Sequence, residues 1–141
     1  MKIVSSVGLV LFDPEGRILM LKELESKPHY GKVAGMLSVP IETIEEGEMV
    51  DQTLRRLVIE EIGEPIYSLL SYSKRLMITL NDNFTERMFV YVGLCHKSFV
   101  AHPNDTDVEY FGWMPPKAIM DLAPGQLRLE MEPILCSYFG R

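Results

Sequence analysis

The feature that most constrains the fold of this 141-residue chain is one helical stretch set between strand-like runs. From Met49 to Ile62 the apolar residues Val50, Leu54, Leu57, Val58 and Ile62 recur at steps of three and four, the repeat of a helix that buries one face. Gly63 and Pro65 end it: the glycine can take the left-handed C′ position, and the proline cannot continue a helix. Its start is less sharply marked, since no Ser, Thr, Asp or Asn occupies positions 47–49. Before it, Ile3–Phe12 reads as a strand ending at the turn Asp13-Pro14-Glu15-Gly16, with Arg17–Leu21 as its hairpin partner. After it, Ile66–Leu80 and Glu86–Leu94 read as strands around Asn81-Asp82-Asn83, the second apolar on both parities, as in a strand buried on two faces. Val108–Met114 reads as a further strand and Lys117–Leu122 as a short helix. A last helical segment reaches Tyr138, with Pro133 limiting or kinking it. Strands, helix, strands, helix in a chain of this length make one mixed α/β domain over residues 1–141.

Composition excludes several functions. A chain 47% hydrophobic and 24% charged has the ordinary globular mix, which rules out a disordered or collagen-like chain. The formal charge of −6 argues against a broad surface for DNA or RNA duplex, while leaving room for a local basic pocket. The first apolar run is too short to span a bilayer and meets Asp13-Pro14 at once, and no small-residue cleavage site follows it. Cys95 and Cys136 lie far apart in apolar company and read as reduced core residues. The expected address is the cytoplasm, with no membrane partner.

The last turn of the helix carries the first chemical signal. Arg56 and Glu60 stand four residues apart and can pair on one face. Glu60 and Glu61 are adjacent carboxylates at a helix C-terminus, where the dipole disfavours negative charge. A solvated charged face with one ion pair satisfies that pattern, and so does a hard divalent cation held by both carboxylates. The helix alone leaves both readings open.

Its surroundings add a resemblance. The segment PIETIEEGEMVDQTLRRLVIEEIG resembles the Nudix box, G-x5-E-x7-R-E-U-x-E-E-x-G-U with U apolar. Glu48 falls on its first glutamate, Arg56 on the arginine, Val58 on an apolar position, Glu60 and Glu61 on the paired glutamates and Gly63 on the later glycine. The opening hairpin, the run GMLSVP and the run DVEYFGWMPPKAIMDL are also similar to family segments, so the resemblance covers nearly the whole chain. It implies an α/β/α sandwich with a mixed central sheet. It further implies a Mg²⁺-dependent (or Mn²⁺-dependent) hydrolase cleaving the diphosphate of a nucleoside diphosphate linked to another moiety. On that resemblance Glu60, Glu61 and Arg56 are the catalytic residues. Glu60, Glu61 and Asp107 hold metal, with Asp105 and Glu109 as alternatives to Asp107, and Glu42 or Glu45 as helpers from the preceding loop. Lys22 and Arg87 are the candidate contacts to substrate phosphates, and a homodimer is the implied assembly.

The departures from the family pattern point elsewhere. Glu42 occupies the place of the first box glycine and Ile41 precedes it, and side chains there oppose a positive φ and a close phosphate approach. Leu57 stands where the family has a metal-binding glutamate. Regular helical spacing puts positions 57, 60 and 61 on one face, so Leu57 is expected to face the cleft; the competing reading packs it in the core with Leu54 and Val58. Glu64 replaces the last apolar position. These differences favour an alternative: a fold relative that binds a nucleotide-like ligand or a protein partner without turnover. The retained Arg56-Glu60-Glu61 set favours the hydrolase.

Overall fold

The computed structural model describes residues 2–28, 31–63, 69–81 and 83–140. The predicted stop at Pro65, the predicted strand start at Ile66 and Asp82 of the predicted turn lie outside the described residues.

Seven strands form one mixed sheet around β1 (Lys2–Phe12). On one side β1 runs parallel to β6 (Phe84–Leu94), which pairs antiparallel with β5 (Leu69–Asn81). On the other side β1 turns into β2 (Ile18–Glu23) at the register Phe12↔Ile18, and it pairs lower down with β4 (Ile41–Thr43) through Val7↔Glu42. β2 carries β3 (Leu37–Ser38) and β7 (Val108–Met114). The hairpin turn closes through Asp13, whose carboxylate accepts the backbone N–H groups of Glu15 and Arg17, each at 2.9 Å, while Gly16 supplies a φ of 78°.

Strand alternation sorts the apolar residues onto two faces. Val10, Ile18, Met20, Met88 and Val90 meet Ile119 of α2 (Pro116–Met120) and Met131, Ile134 and Leu135 of α3 (Met131–Phe139). Val7, Leu9, Leu11, Leu19 and Leu21 meet Leu57 of α1 (Val50–Leu57) and Ile62 on the opposite face. The layers are therefore helix, sheet, helix. Pro133 lies in the first turn of α3, where no intrahelical N–H is required, so the expected kink does not arise. Neither Cys95 nor Cys136 is in a disulfide. Cys95 is half-buried, but Cys136 is exposed and not the core residue expected, because it falls on the solvent side of α3. Among the described residues no helix is long and apolar enough to cross a membrane.

Leu57 settles one expectation against the cleft. It is fully buried among Val7, Leu9, Leu11 and Leu19. The helix does not continue in α geometry beyond it: residues Val58–Ile62 form a π turn, in which the Gly63 N–H reaches the Val58 carbonyl at 2.9 Å. That wider turn holds an extra residue, so positions 57 and 61 no longer stand one above the other. The leucine follows the apolar face into the core.

Candidate active site

The site is assembled where the π turn ends. Its terminal carbonyls lack intrahelical donors, and the loop before β7 supplies them. The Ile62 carbonyl accepts the His102 N–H at 2.8 Å, and the Glu60 carbonyl accepts the N–H groups of Asn104 and Asp105 at 2.8 and 3.0 Å. The Asn104 side-chain amide donates to the Ile59 carbonyl at 2.7 Å. The docking of this loop brings Asp105 beside Glu61.

Gly63 makes that docking possible. Its φ is 75°, and a Cβ there would lie 1.8 Å from the His102 carbonyl oxygen. Gly63→Ala should therefore cost about 2 kcal/mol or more, since the left-handed conformation alone costs a side chain about 1–2 kcal/mol and the backbone of the loop must also move. Denaturant unfolding measures the loss. Mn²⁺ titration of the folded fraction should show weaker binding as Asp105 is displaced.

β4 delivers the third acid. Its pairing to β1 places Glu42 opposite Val7, on the α1 side of the sheet, while neighbouring Ile41 joins the core on the other side. Carboxylate oxygens of Glu42, Glu61 and Asp105 all lie within 4.8 Å of one another. Glu61 is only 4% exposed. One oxygen of Glu61 and one of Glu42 are buried and accept no hydrogen bond among the described residues. Burial, reinforced by the charges of Glu42 and Asp105, pushes the Glu61 carboxyl up to about 9. Burial raises Glu42 to about 7, even though Arg56 draws it down. Acids placed this way cannot all ionise without a cation among them. Three clustered carboxylates, two of them with a bare, buried oxygen, fit a hard divalent ion of the Mg²⁺ or Mn²⁺ type.

Arg56 organises the acids around it. Its Nε and one terminal nitrogen grip both oxygens of Glu48 at 2.9 and 3.0 Å; the other reaches Glu42 at 2.9 Å and Glu60 at 3.4 Å. The same side chain donates to the Thr43 carbonyl. The Arg56 hydrogen bonds, aided by Thr53, hold Glu48 down at about 2. A lysine offers one point charge in place of this fork. Arg56→Lys should leave Glu42 less well held and weaken Mn²⁺ binding about 10–100-fold, as loss of a ligand's supporting partner commonly does; calorimetry at neutral pH reads it.

A cavity of about 290 Å³ opens beside the three acids, and Lys27 and Lys32 line it. Of the expected site residues, Glu61 faces this cavity, while Glu60 turns to Arg56 at the rim. Asp107 also lines it but is bound to Lys27 at 2.8 Å, which lowers its carboxyl pKa, leaving Asp105 closer to the other acids. Lys22 pairs with Glu109 at 3.3 Å, and Arg87 donates to the Ser5 hydroxyl at 2.9 Å from the β6 face opposite Glu86; neither is among the lining residues. Sequence reasoning passed over the far wall of the cavity, made by Glu86, Arg128 and Glu130. A glutamate in step with Met88 and Val90 on a strand otherwise apolar at that parity was the available signal.

Comparison with known proteins identifies the fold. No curated protein sequence matches the chain. Among solved structures, the Nudix domain of Shewanella oneidensis NrtR, complexed with ADP-ribose, superposes with a TM-score of 0.75 at 14% identity, over 96% of this chain and 85% of that one. A Nudix hydrolase from Nitrosomonas europaea gives 0.73 at 22% identity, over 99% and 90%. The dihydroneopterin triphosphate pyrophosphohydrolase of E. coli gives 0.73 at 14%, over 96% and 93%. The family model for the Nudix domain matches residues 2–138, and the chain belongs to the Nudix family.

Proposed function

We propose that this chain is a Mg²⁺- or Mn²⁺-dependent hydrolase that cleaves the diphosphate of a nucleoside diphosphate linked to another group. The observation that carries this reading is the convergence of Glu42, Glu61 and Asp105, the first two with a bare buried oxygen, on a cavity that two lysines also line. Glu42, Glu61 and Asp105 are the residues to hold the ion. When bound, the ion supplies Lewis acidity to a phosphoryl oxygen and lowers the pKa of a coordinated water. Lys27 and Lys32 then neutralise phosphate charge from the cavity wall, in the place first given to Lys22 and Arg87. Arg56 is a positioning residue that fixes Glu42, Glu48 and Glu60 as one unit. The ADP-ribose of one structural neighbour and the pyrophosphohydrolase activity named for another support a small nucleotide-like substrate.

Burial of Leu57 favours a second reading, binding without turnover, because the helix offers one carboxylate fewer than the family pattern. Losing a general base commonly slows a reaction about 10²–10⁴-fold. A panel of nucleoside diphosphate derivatives, incubated with Mg²⁺ or Mn²⁺ and assayed for released monophosphate, separates the two. Metal-dependent release of a nucleoside monophosphate is the expected result. Thermal protection by the same compounds without release supports the binding reading, and neither effect refutes both.

A further inference from the structure

We propose that Glu86 and Glu130 share a single proton, and that this proton is a latch which holds the cavity wall at residues 128–130 against β6 and releases it in alkaline solution. β6 places Glu86 opposite Val4 of β1, on the face where Met88 and Val90 enter the core, and Glu130 immediately precedes α3. The two residues are 4% and 2% exposed. The Ser6 hydroxyl donates to one oxygen of Glu86, and Arg128 donates to one oxygen of Glu130 at 2.6 Å. The remaining oxygens are buried, and the two side chains are hydrogen-bonded to each other. Ionised carboxylates are acceptors only, so this contact requires a proton between them. Burial, with the charge of Glu130 beside it, pushes the Glu86 carboxyl up to about 8, which keeps the proton in place at neutral pH.

The charges around the pair balance only with that proton. Arg128 also reaches Glu23 of β2 at 2.9 Å, and Lys32 lies 3.4 Å from the same carboxylate. Glu23, Glu86 and Glu130 thus face two cations, and one retained proton leaves two negative charges against two positive ones. The other elements around the pair do not change this count. β5 sets the apolar Ile78 opposite Glu86, Lys2 of β1 lies over the Phe84 ring, and Glu132 of α3 is exposed. Across the cavity Lys27 is bound to Asp107, while Glu42, Glu61 and Asp105 carry negative charge when ionised. The wall is fixed on either side of the pair: Leu127 and Met131 are buried, and the Arg128 N–H donates to the Leu37 carbonyl at 3.1 Å. Residues 128–130 form a short arch between those anchors, and the acid pair ties the arch to β6. Once both acids ionise, two like charges in contact within a buried site repel. The arch then moves towards solvent, where Leu129 is already 42% exposed.

The test compares the parent with Glu86→Gln by infrared spectroscopy and amide hydrogen exchange from about pH 6.5 to about pH 9, without divalent cation. Glutamine at 86 accepts from Ser6 with its oxygen and donates to Glu130 with its amide, so it closes the latch at every pH. Both proteins keep Glu42 and Glu61, and their difference isolates the pair. At the acid end the parent should show a protonated-carboxyl band that the variant lacks, and the band should fade as the pH passes about 8. One pH unit higher, the ionised pair outnumbers the protonated one about 10-fold. Exchange in peptides covering residues 127–135, corrected for the intrinsic rate and taken relative to β1, should therefore rise about 10-fold in the parent and stay level in the variant. If Glu86→Gln does not melt cooperatively, Glu130→Gln makes the same exchange from the other side, its amide donating to Glu86. Absence of the difference band, a band that persists throughout the range, or an equal rise in exchange in parent and variant overturns the proposal. Neither readout depends on metal or nucleotide, so failure here leaves the hydrolase reading standing, and failure of that reading leaves the latch.

Discussion

Glu61→Gln should melt higher than the parent protein at pH 8 without divalent cation, by about 5 °C or more, and should lose the stabilisation that Mn²⁺ gives the parent. Both effects come from one buried carboxyl. Its ordinary pKa is 4.5, and burial with the charges of Glu42 and Asp105 moves it to about 9 in the folded protein. Between those values the folded state keeps a proton that the unfolded state has released, so the stability of the cation-free protein falls as pH rises from about 4.5 towards 9. Glu42, raised to about 7, adds to the fall over the lower part of that range. An amide removes the titration and the repulsion together. A shift of this size corresponds to a few kcal/mol, or roughly 5–10 °C for a domain of this length. Mn²⁺ favours the ionised acids, so its benefit to the parent should be large at pH 8 and nearly absent at pH 5. Melting curves at the two pH values, with and without Mn²⁺, read all of this. A Glu61→Gln protein that melts well below the parent at pH 8 makes Glu61 a structural partner and not a cation ligand.

Leu57→Glu should abolish folding, although it restores the letter of the family motif. The side chain is fully buried in the apolar cluster with Val7, Leu9 and Leu11. Placing an unpaired carboxylate there costs several kcal/mol, against a total stability of about 5–15 kcal/mol for a domain. Leu57→Ala, which leaves only a cavity, should cost about 2–5 kcal/mol and remain folded enough to measure. Circular dichroism and denaturant unfolding separate the two. A folded Leu57→Glu protein with a metal-dependent gain in turnover returns position 57 to the cleft and contradicts the packing of α1.

These two residues also show where sequence and structure part. The hairpin, the helix, β6 and β7 were legible because each depends on local periodicity and turn chemistry. Arg56 and Glu61 were legible because their spacing lies within one helix. Leu57 was misplaced because its expected direction assumed regular α geometry through residue 61, and the π turn is absent from the pattern of apolar residues. Glu42 stood out as an obstruction and, with Glu45, as a helper to the metal acids. Its role as an acid beside Glu61 depends on the register of β4 against β1, a contact between segments more than thirty residues apart. Asp107 was preferred to Asp105, two residues away in one loop, and no local pattern separates the two. The Glu60 carbonyl anchors Asp105 and Lys27 takes Asp107, and both contacts are long-range. Glu86 and Glu130 meet only because β6 runs parallel to β1 and α3 covers that face.

Diffraction from crystals grown with Mn²⁺ and a non-hydrolysable diphosphate nucleotide, recorded at the manganese absorption edge, tests the central claim most directly. The expected result is an anomalous peak coordinated by carboxylate oxygens of Glu42, Glu61 and Asp105, with Arg56 still bridging Glu42, Glu48 and Glu60. A peak held instead by Glu60 and Asp107, or no peak near any of these acids while the nucleotide is bound, contradicts it.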